Sequence, residues 1–194
     1  SGITMAVAPI LEKYKVPMIT GSAESPMIWR QKFKYTFGAI PSVDLTGSAP
    51  IETLAKEVSP SAKSIAIIGV NDTFSKATAE AFKTAAEKYG LQVLKYEIVP
   101  TGTDFTPLIS AIKSLKPDVL AVGGHEKEHM EIIKIAKSLD FVPKAFLMHY
   151  GITTPDFVKV LGKDADYVFG AVVWTPELNY EDPLWGNTKK YVEA

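Results

Sequence analysis

The stretch SIAIIGVNDTFSKATAEAFKTAAEKYGLQVLKYEIV, residues 64–99, decides the fold class. Its first seven residues form an apolar, β-branched run of the kind found in buried strands. Phe74, Ala81 and Phe82 then fall near helical spacing, and Gly90 suits the end of a helix. The last nine residues alternate between apolar and polar side chains, as a half-buried strand does. The stretch therefore predicts a strand, a helix and a second strand in succession.

The same alternation continues as far as Trp174. Further strands are predicted at residues 117–124, 145–150 and 167–174, and further helices at 104–116, 126–140 and 155–162. Asp104 is a suitable N-cap for the first of these helices, and Pro107 falls in its first turn. Five strands thus alternate with four helices, which predicts an α/β fold with a parallel sheet flanked by helices on both faces.

The two flanks follow a less complete pattern. Strands are predicted at residues 16–20 and 34–40, helices at 3–14 and 45–58, and a turn followed by a helix start at 182–194. Gly47 and Pro50 should break or kink the start of the second helix. These strands are too few to close a second domain, so we expect a domain that is cut at both ends.

The composition narrows the function classes. The chain has 194 residues, of which 46% are apolar and 22% charged, as in an ordinary globular protein. A net charge of -1 argues against nucleic acid and against an anionic membrane surface as partners. Cysteine is absent, which excludes disulfides, thiolate metal ligands and a cysteine nucleophile. No apolar run reaches about 18 residues, so no direct membrane insertion is expected.

A ligand site is expected beyond the carboxyl ends of the parallel strands. The loops at that edge are residues 20–26, 70–75, 123–126, 150–153 and 174–176, and they contain Ser22, Glu24, Asp72, Phe74, His125, Tyr150 and Trp174. These side chains combine aromatic walls with a few polar groups, which is typical of a pocket for a small molecule.

Five of these residues also have a purely structural interpretation. Asp72 is better explained as the cap of the following helix than as a ligand contact. Phe74 and Trp174 suit simple packing equally well. Glu24 could be a solvated loop charge, and Tyr150 could bond a neighbouring loop. The case for a site depends on their shared position at one edge of the sheet.

The segment HEKEH, residues 125–129, matches the zinc-peptidase pattern H-E-x-x-H. His125 follows two glycines at the exit of a predicted strand, at or before the helix start, so an i, i+4 pair of ligands is doubtful. His149 could supply a third ligand. The competing interpretation is an exposed first helical turn that contains Glu126, Glu128 and His129, with the acids favoured by the helix dipole. We expect no metal site here.

Other catalytic motifs are missing from the sequence. No Gly-x-Gly-x-x-Gly follows a strand and no Walker loop occurs, so no cofactor is expected. No Gly-x-Ser-x-Gly elbow occurs, and the loops at the strand ends lack a nucleophile, a base and an orienting group together. We therefore expect no catalytic residues.

Four segments resemble the periplasmic solute-binding proteins of branched-chain amino acid ABC transporters. Residues 1–26, SGITMAVAPILEKYKVPMITGSAESP, look like the family's first-lobe segment, and residues 64–90 resemble its K-x-VAII-x-D-x-x-YG segment. Residues 99–124 are similar to P-x-G-x-x-DF-x-x-x-L-x-x-IK-x-x-x-PD, the most specific signature, and residues 174–194 look like the return crossover. The resemblance covers nearly the whole chain but only the middle of the family's length.

The resemblance implies the type I periplasmic-binding fold, in which two α/β lobes close on a ligand. Residues 42–174 would form a nearly complete second lobe, and residues 1–41 and 175–194 would be parts of the first lobe. Members of this family are not enzymes. They capture a solute in the periplasm or outside the cell, in some cases on a lipid anchor, and deliver it to an ABC transporter permease.

The resemblance also assigns ligand contacts. Ser1 would hold a ligand carboxylate, the segment from Ser22 through Ala23 to Glu24 aligns with a backbone and hydroxyl clamp, and Tyr150 takes the position of the acid that receives an amino group. The complete set of expected contacts is Ser1, Ser22, Ala23, Glu24, Phe74, His125, Tyr150 and Trp174.

Two departures from the family pattern leave the identity of the ligand undetermined. Glu24 replaces a threonine and Tyr150 replaces the ammonium-binding acid, so either Glu24 receives the cationic group or the ligand is not an amino acid. The leading hypothesis is a binding protein for an amino acid-like, aromatic or aliphatic carboxylate, or an amide. The alternatives are a ligand-sensing receptor domain of the same fold and a zinc hydrolase that uses residues 125–129.

Overall fold

The computed structural model describes residues 1–184 and 186–193. The strands are β1 Met18–Thr20, β2 Thr36–Gly38, β3 Ser64–Val70, β4 Gln92–Val99, β5 Val119–Gly123, β6 Ala145–Met148, β7 Val168–Phe169, β8 Glu181–Asp182 and β9 Gly186–Asn187. The helices are α1 Gly2–Tyr14, α2 Pro26–Arg30, α3 Val43–Thr46, α4 Ser48–Thr53, α5 Thr73–Lys88, α6 Thr106–Leu115, α7 Glu126–Ser138, α8 Pro155–Leu161 and α9 Thr188–Glu193. A π-helical turn at Leu54–Val58 follows α4, and a 3₁₀ turn at Gly162–Ala165 follows α8.

Five parallel strands form the main sheet in the order β4-β3-β5-β6-β7. The central register places Ile67 opposite Ala121, and Ala121 opposite Leu147. Each connection between successive strands runs through one of the helices α5 to α8. The α/β class and the parallel sheet predicted from the sequence are confirmed.

Helices cover both faces of this sheet. Along each strand, successive side chains point alternately to one face and to the other. Ile68, Leu120 and Phe146 point to one face, where they join buried residues of α6, α7 and α8. Ile67 and Leu147 point to the other, where they meet α4, the π-helical turn and α5. Because both faces are buried, the central strands read as continuous apolar runs rather than as alternating ones.

Helix α5 packs closely against the carboxyl end of the sheet. Asp72 caps it by accepting hydrogen bonds from the backbone N–H groups of Phe74 and Ser75, as the sequence predicted. A side chain at Gly123 would place its Cβ 2.3 Å from the Ser75 carbonyl oxygen. Glycine therefore permits α5 to approach the end of β5, which brings the first turn of α5 to the sheet edge.

A second, much smaller sheet consists of β1 and β2, which pair in parallel. Ile19 lies opposite Phe37 in the register, and these two side chains are 77% and 53% exposed. Ile3 and Ile10 of α1 are exposed as well. This part of the chain therefore has an apolar surface that the described residues do not cover.

Two sequence predictions need correction, and one helix was missed. The strand expected at 167–174 covers Val168 and Phe169 alone, which pair with Phe146 and Leu147 of β6, and from Gly170 onward the chain no longer pairs with the sheet. The helix expected at 45–58 begins at Val43 and is divided into α3, α4 and the π-helical turn, with a break at Gly47. The short helix α2 was not predicted.

The end of the chain forms an antiparallel pair of short strands, β8 and β9, which leads into α9. The turn and helix start predicted for this segment agree with the residues that the structure describes. Across residues 1–184 and 186–193, no helix combines the length and the apolar character needed to cross a membrane.

Candidate ligand-binding site

A small cavity lies at the carboxyl edge of the main sheet. Its volume is about 170 Å³, and its walls are Ser1, Ser22, Glu24, Phe74, His125 and Tyr150. Six of the eight residues expected from the sequence therefore surround one space. They come from the start of α1, the loop after β1, the first turn of α5, the N-cap of α7 and the loop after β6.

Phe74 is the centre of an aromatic cluster beside the cavity. Its ring centroid lies 5.3 Å from that of His125 and 5.6 Å from that of His149, which stacks on it. Tyr150 meets Phe74 edge-on at 6.2 Å. Such contacts favour a defined ring orientation over free rotation, so Phe74 presents a fixed apolar wall.

Asp72 and His125 form a polar border beside Phe74. The His125 Nε2 atom lies 3.4 Å from an Asp72 carboxylate oxygen, which also accepts a hydrogen bond from the Ser75 hydroxyl. Burial alone would raise the pKa of Asp72, but the bonds from Ser75 and Phe74 and the charge of His125 hold it below its ordinary value. Asp72 is therefore ionised at neutral pH and lies beside the His125 ring.

Glu24 belongs to a buried polar cluster with Thr46 and His149. Its Oε2 atom accepts a hydrogen bond from the Thr46 hydroxyl at 2.8 Å and lies 3.0 Å from His149 Nε2. The backbone carbonyl of Glu24 accepts hydrogen bonds from the Val43 N–H and the Ser42 hydroxyl. The loop after β1 is thus tied both to α3 and to the end of β6.

Glu24 is 6% exposed, so the interpretation of it as a solvated loop charge is wrong. Burial by itself raises the pKa of such a carboxyl group, but the hydrogen bond and charge of His149 and the Thr46 hydroxyl outweigh that effect. The pKa of Glu24 is held below its ordinary value, and the group is ionised at neutral pH.

His129 is fully buried, so the prediction that it belongs to an exposed helical turn is wrong. Its Nδ1 atom lies 2.8 Å from the Tyr150 carbonyl oxygen, and its Nε2 atom lies 3.2 Å from that of Val122. Burial lowers the pKa of His129 to about 4. The neutral ring carries a single N–H, which donates to one of these two carbonyl oxygens, and it lies between the Tyr150 loop and the end of β5.

The geometry does not fit the zinc-peptidase pattern. His125 occupies the N-cap of α7, where the Glu128 side chain accepts a hydrogen bond from its backbone N–H. Both ring nitrogens of His129 face carbonyl oxygens inside the protein, so neither points at a metal that His125 could share. The described residues contain no group of three or more histidine and carboxylate side chains arranged to hold a metal ion.

Two of the eight expected residues do not reach the cavity with their side chains. Ala23 lies between Ser22 and Glu24, but its side chain is buried. Trp174 lies elsewhere because the strand that was to carry it to the sheet edge ends at Phe169. The Trp174 ring contacts Tyr191 edge-on at 5.7 Å.

Two other cavities need to be distinguished from the candidate site. One of about 230 Å³ shares Ser22, Glu24 and Tyr150 as walls and continues toward His149. A larger one of about 680 Å³ is separate and is lined by Trp174, Tyr180, Asp182, Gly186, Asn187, Thr188 and Tyr191. The larger cavity is formed by Trp174 and by residues of β8, β9 and α9. The two smaller cavities lie at the carboxyl edge of the parallel sheet, where ligands bind in open α/β folds.

The sequence analysis did not identify two residues of the site. Thr46 gave no signal, because it lies inside a predicted helix and its partner Glu24 is 22 residues away. His149 was considered only as a metal ligand, and its bond to Glu24 joins residues 125 positions apart. A polar pair directly after a fully apolar strand, as at His149 and Tyr150, is the one sequence feature that points to this edge.

A family model described as periplasmic binding protein matches residues 1–194. The chain belongs to the periplasmic binding protein family. Leu/Ile/Val-binding protein homolog 3 of Brucella melitensis biotype 1 is 25% identical over 129 residues, which are 66% of this chain and 34% of that protein. The resemblance described above is thereby confirmed.

Solved structures of this family have the same fold. A leucine-binding protein from Thermotoga maritima is 24% identical with a TM-score of 0.86, over 98% of this chain and 52% of that one. A solute-binding protein of an ABC transporter from R. palustris, in complex with benzoate, is 18% identical with a TM-score of 0.80, over 100% of this chain and 51% of that one. The chain thus spans about half the length of these structures and about a third of the curated relative.

Proposed function

We propose that the protein is the solute-binding component of an ABC transporter and captures a small ligand at the cavity of Glu24, Phe74 and Tyr150. The observation that carries this proposal is the meeting of six residues from five separate segments around one space at the carboxyl edge of the sheet. Membership of a family of periplasmic binding proteins supports a location outside the cytoplasmic membrane and a permease as partner.

The cavity suits a small solute. A volume of about 170 Å³ corresponds to roughly five or six water molecules and is below the roughly 300 Å³ at which pockets for drug-sized ligands begin. Phe74 supplies an apolar wall, and the hydroxyl groups of Ser1 and Ser22 are hydrogen-bond donors of the type that a carboxylate accepts. An amino acid or a related carboxylate of similar size matches this combination.

The uncovered apolar surface supports a two-lobe arrangement. Ile19 and Phe37 lie opposite each other on the small sheet and are exposed, as are Ile3 and Ile10 on α1, and exposed large apolar side chains of this kind favour an interface. In this proposal residues 42–174 form the second lobe, while residues 1–41 and 175–194 are parts of the first. Further strands of the first lobe would cover this face and complete the cleft.

A melting-temperature screen tests the proposed function. The panel contains aliphatic amino acids, aromatic amino acids, aromatic carboxylates and amides, with zinc and zinc plus chelator as separate arms. A ligand at about one hundred times its Kd stabilises the folded state by about 2.7 kcal/mol. For a protein of this size that gain raises Tm by roughly 5 to 10 °C.

We expect one class of small solute to raise Tm. Phe74→Ala should abolish this rise, whereas Phe37→Ala should retain it. Phe37→Ala is the matched control because Phe37 lies on the small sheet and does not line the cavity. A rise with zinc alone that the chelator reverses would contradict the proposal and favour a metal-dependent function.

A further inference from the structure

The cavity of about 230 Å³ beside the candidate site has a different lining from the site itself. Four of the six walls of the candidate site are polar side chains, namely those of Ser1, Ser22, Glu24 and His125. Most of the surface of the neighbouring cavity, which we call the tail cavity, is apolar. Its apolar side chains are those of Ile40, Ile152, Ala171, Val172 and Val173.

The candidate site and the tail cavity share three walls. Ser22, Glu24 and Tyr150 line both, so the side chain of Tyr150 stands at the boundary between a polar space and an apolar one. Tyr150 is 51% exposed. Exposed side chains change rotamer rapidly, so this boundary can open to a ligand that enters from the candidate site.

The volumes also favour a ligand that occupies both spaces. The candidate site alone has room for a molecule about the size of alanine, since 170 Å³ corresponds to roughly five or six water molecules. The 230 Å³ of the tail cavity corresponds to roughly seven or eight more. Together the two volumes exceed the roughly 300 Å³ at which pockets for drug-sized ligands begin.

The loop from Tyr150 to Thr154, which lines the tail cavity, lies against α7 at both ends. The Tyr150 carbonyl oxygen is 2.8 Å from His129 Nδ1, and the Thr154 hydroxyl donates to a Glu126 carboxylate oxygen at 2.6 Å. Gly151 has a φ of 81°, and a Cβ at this position would lie 2.6 Å from the Cβ of Glu126. The loop is therefore closely packed, and binding of a ligand needs little reordering of this wall.

The opposite wall of the tail cavity is incompletely covered. Val172 is 48% exposed and Val173 is 50% exposed. An apolar group that enters the cavity covers these side chains and is itself removed from water, and both effects favour binding.

We propose that the polar head of the ligand lies in the candidate site and that its apolar tail passes Tyr150 into the tail cavity, so that the protein selects solutes with an extended aliphatic chain over compact ones. This inference rests on the proposed function, since it names the ligand class of the same site. Ile40 and Val172 determine the preference for chain length. They come from the two segments that follow β2 and β7, which would cross between the lobes in the proposed arrangement.

Isothermal titration of the full-length protein at pH 7.5 tests the inference with two series of increasing chain length. One series consists of L-alanine, L-norvaline, L-norleucine and L-2-aminooctanoate, and the other of propanoate, pentanoate, hexanoate and octanoate. Within the series whose head group binds, we expect the affinity to rise about three- to fourfold for each added methylene, as burial of an aliphatic chain predicts. The rise should end when the chain fills the tail cavity.

Two variants and a matched control assign the chain-length preference to the tail cavity. Ile40→Ala and Val172→Ala each remove part of its apolar wall and should weaken binding of the longest ligand by about three- to tenfold. The shortest ligand that binds should keep its affinity in both variants, which also shows that they are folded. Val160→Ala makes the same change as Val172→Ala at an equally exposed position of α8 that lines neither cavity, and it should change nothing.

The outcomes separate this inference from the proposed function. An affinity that stays constant or falls with chain length, while the short ligands bind, would overturn the inference and leave the solute-binding function standing. A rise with chain length that both Ile40→Ala and Val172→Ala leave intact would overturn the inference alone. A complete absence of binding in both series would contradict the inference and the proposed function together.

Discussion

The two parallel sheets of the molecule use similar residues in opposite surroundings. Ile67 in β3 of the main sheet is fully buried between two layers of helices, whereas Ile19 in β1 of the small sheet is 77% exposed. The main sheet gathers the candidate site along its carboxyl edge, and the small sheet contributes the loop that carries Ser22 and Glu24. Stability therefore comes mainly from one sheet, while the ligand cavity needs segments attached to both.

A matched pair of substitutions tests this contrast with the largest effect. Ile67→Ala should destabilise the chain by about 2–5 kcal/mol, because it leaves a cavity in a packed core. Ile19→Ala should change the free energy of unfolding by no more than about 0.5 kcal/mol. Chemical denaturation measures both. Equal losses would mean that the small sheet is as well packed as the main one.

The buried ring of His129 should make stability depend on pH. Its pKa is about 4 in the folded protein and near 6.5 when unfolded, so the unfolded chain binds more protons between those values. This contribution is complete above pH 6.5 and is lost as the pH falls toward 4. We expect a loss of about 2 kcal/mol between pH 7.5 and pH 5.

His129→Gln should abolish that loss, since it retains a donor for the Tyr150 carbonyl without a titrating ring. His125→Gln is the control and should keep it, because His129 is then untouched. Denaturation curves at the two pH values provide the measurement. A wild-type protein equally stable at both would contradict the buried neutral state of His129.

Because α5 and β5 are in close contact, a larger residue at Gly123 should reduce stability moderately. Gly123→Ala would place a methyl group 2.3 Å from the Ser75 carbonyl oxygen, and such overpacking costs about 1–3 kcal/mol. Gly21→Ala, where no atom lies within 4 Å of the new methyl group, should be close to neutral. Unfolding free energies distinguish the two, and a neutral Gly123→Ala would mean that α5 does not pack this closely.

Removal of the N-cap of α5 should have the smallest effect on stability. Asp72→Ala removes the acceptor for two backbone N–H groups and should cost about 1 kcal/mol. The N-cap of α6 is Phe105 and not Asp104, the residue predicted from the sequence. Asp104→Ala removes one exposed bond to the Thr106 N–H and should cost less. Thermal unfolding of the two variants ranks them, and a larger loss at Asp104 would contradict the capping role of Asp72.

Much of the main sheet could be predicted because its signals are local. The apolar runs of β3, β5 and β6 and the helical spacing of α5 and α7 are visible within single stretches of sequence. The length of β7 was not predictable in this way, because it depends on pairing with β6, a strand about 20 residues earlier in the sequence, and only Val168 and Phe169 make that pairing. Local patterns describe an element, but its partner determines how far it extends.

The candidate site was also predicted only in part, and again the local features were the ones that could be predicted. The rule that ligands bind at the carboxyl ends of parallel strands selected the loops that contain Glu24, Phe74, His125 and Tyr150, and the structure brings these residues together. The burial of His129 and the contacts among Glu24, Thr46 and His149 depend on segments far apart in sequence. The exposed helical turn expected at His129 was wrong because a local sequence pattern does not show that the loop of Tyr150 covers this ring.

Hydrogen exchange with and without a saturating ligand tests the location of the site most directly. Ligand should slow exchange in residues 22–25, 71–75 and 149–151, which surround the cavity at the edge of the main sheet. Exchange around Trp174 and Tyr191, at the larger cavity, should stay unchanged. Protection confined to residues 174–191, with none at the sheet edge, would contradict the account.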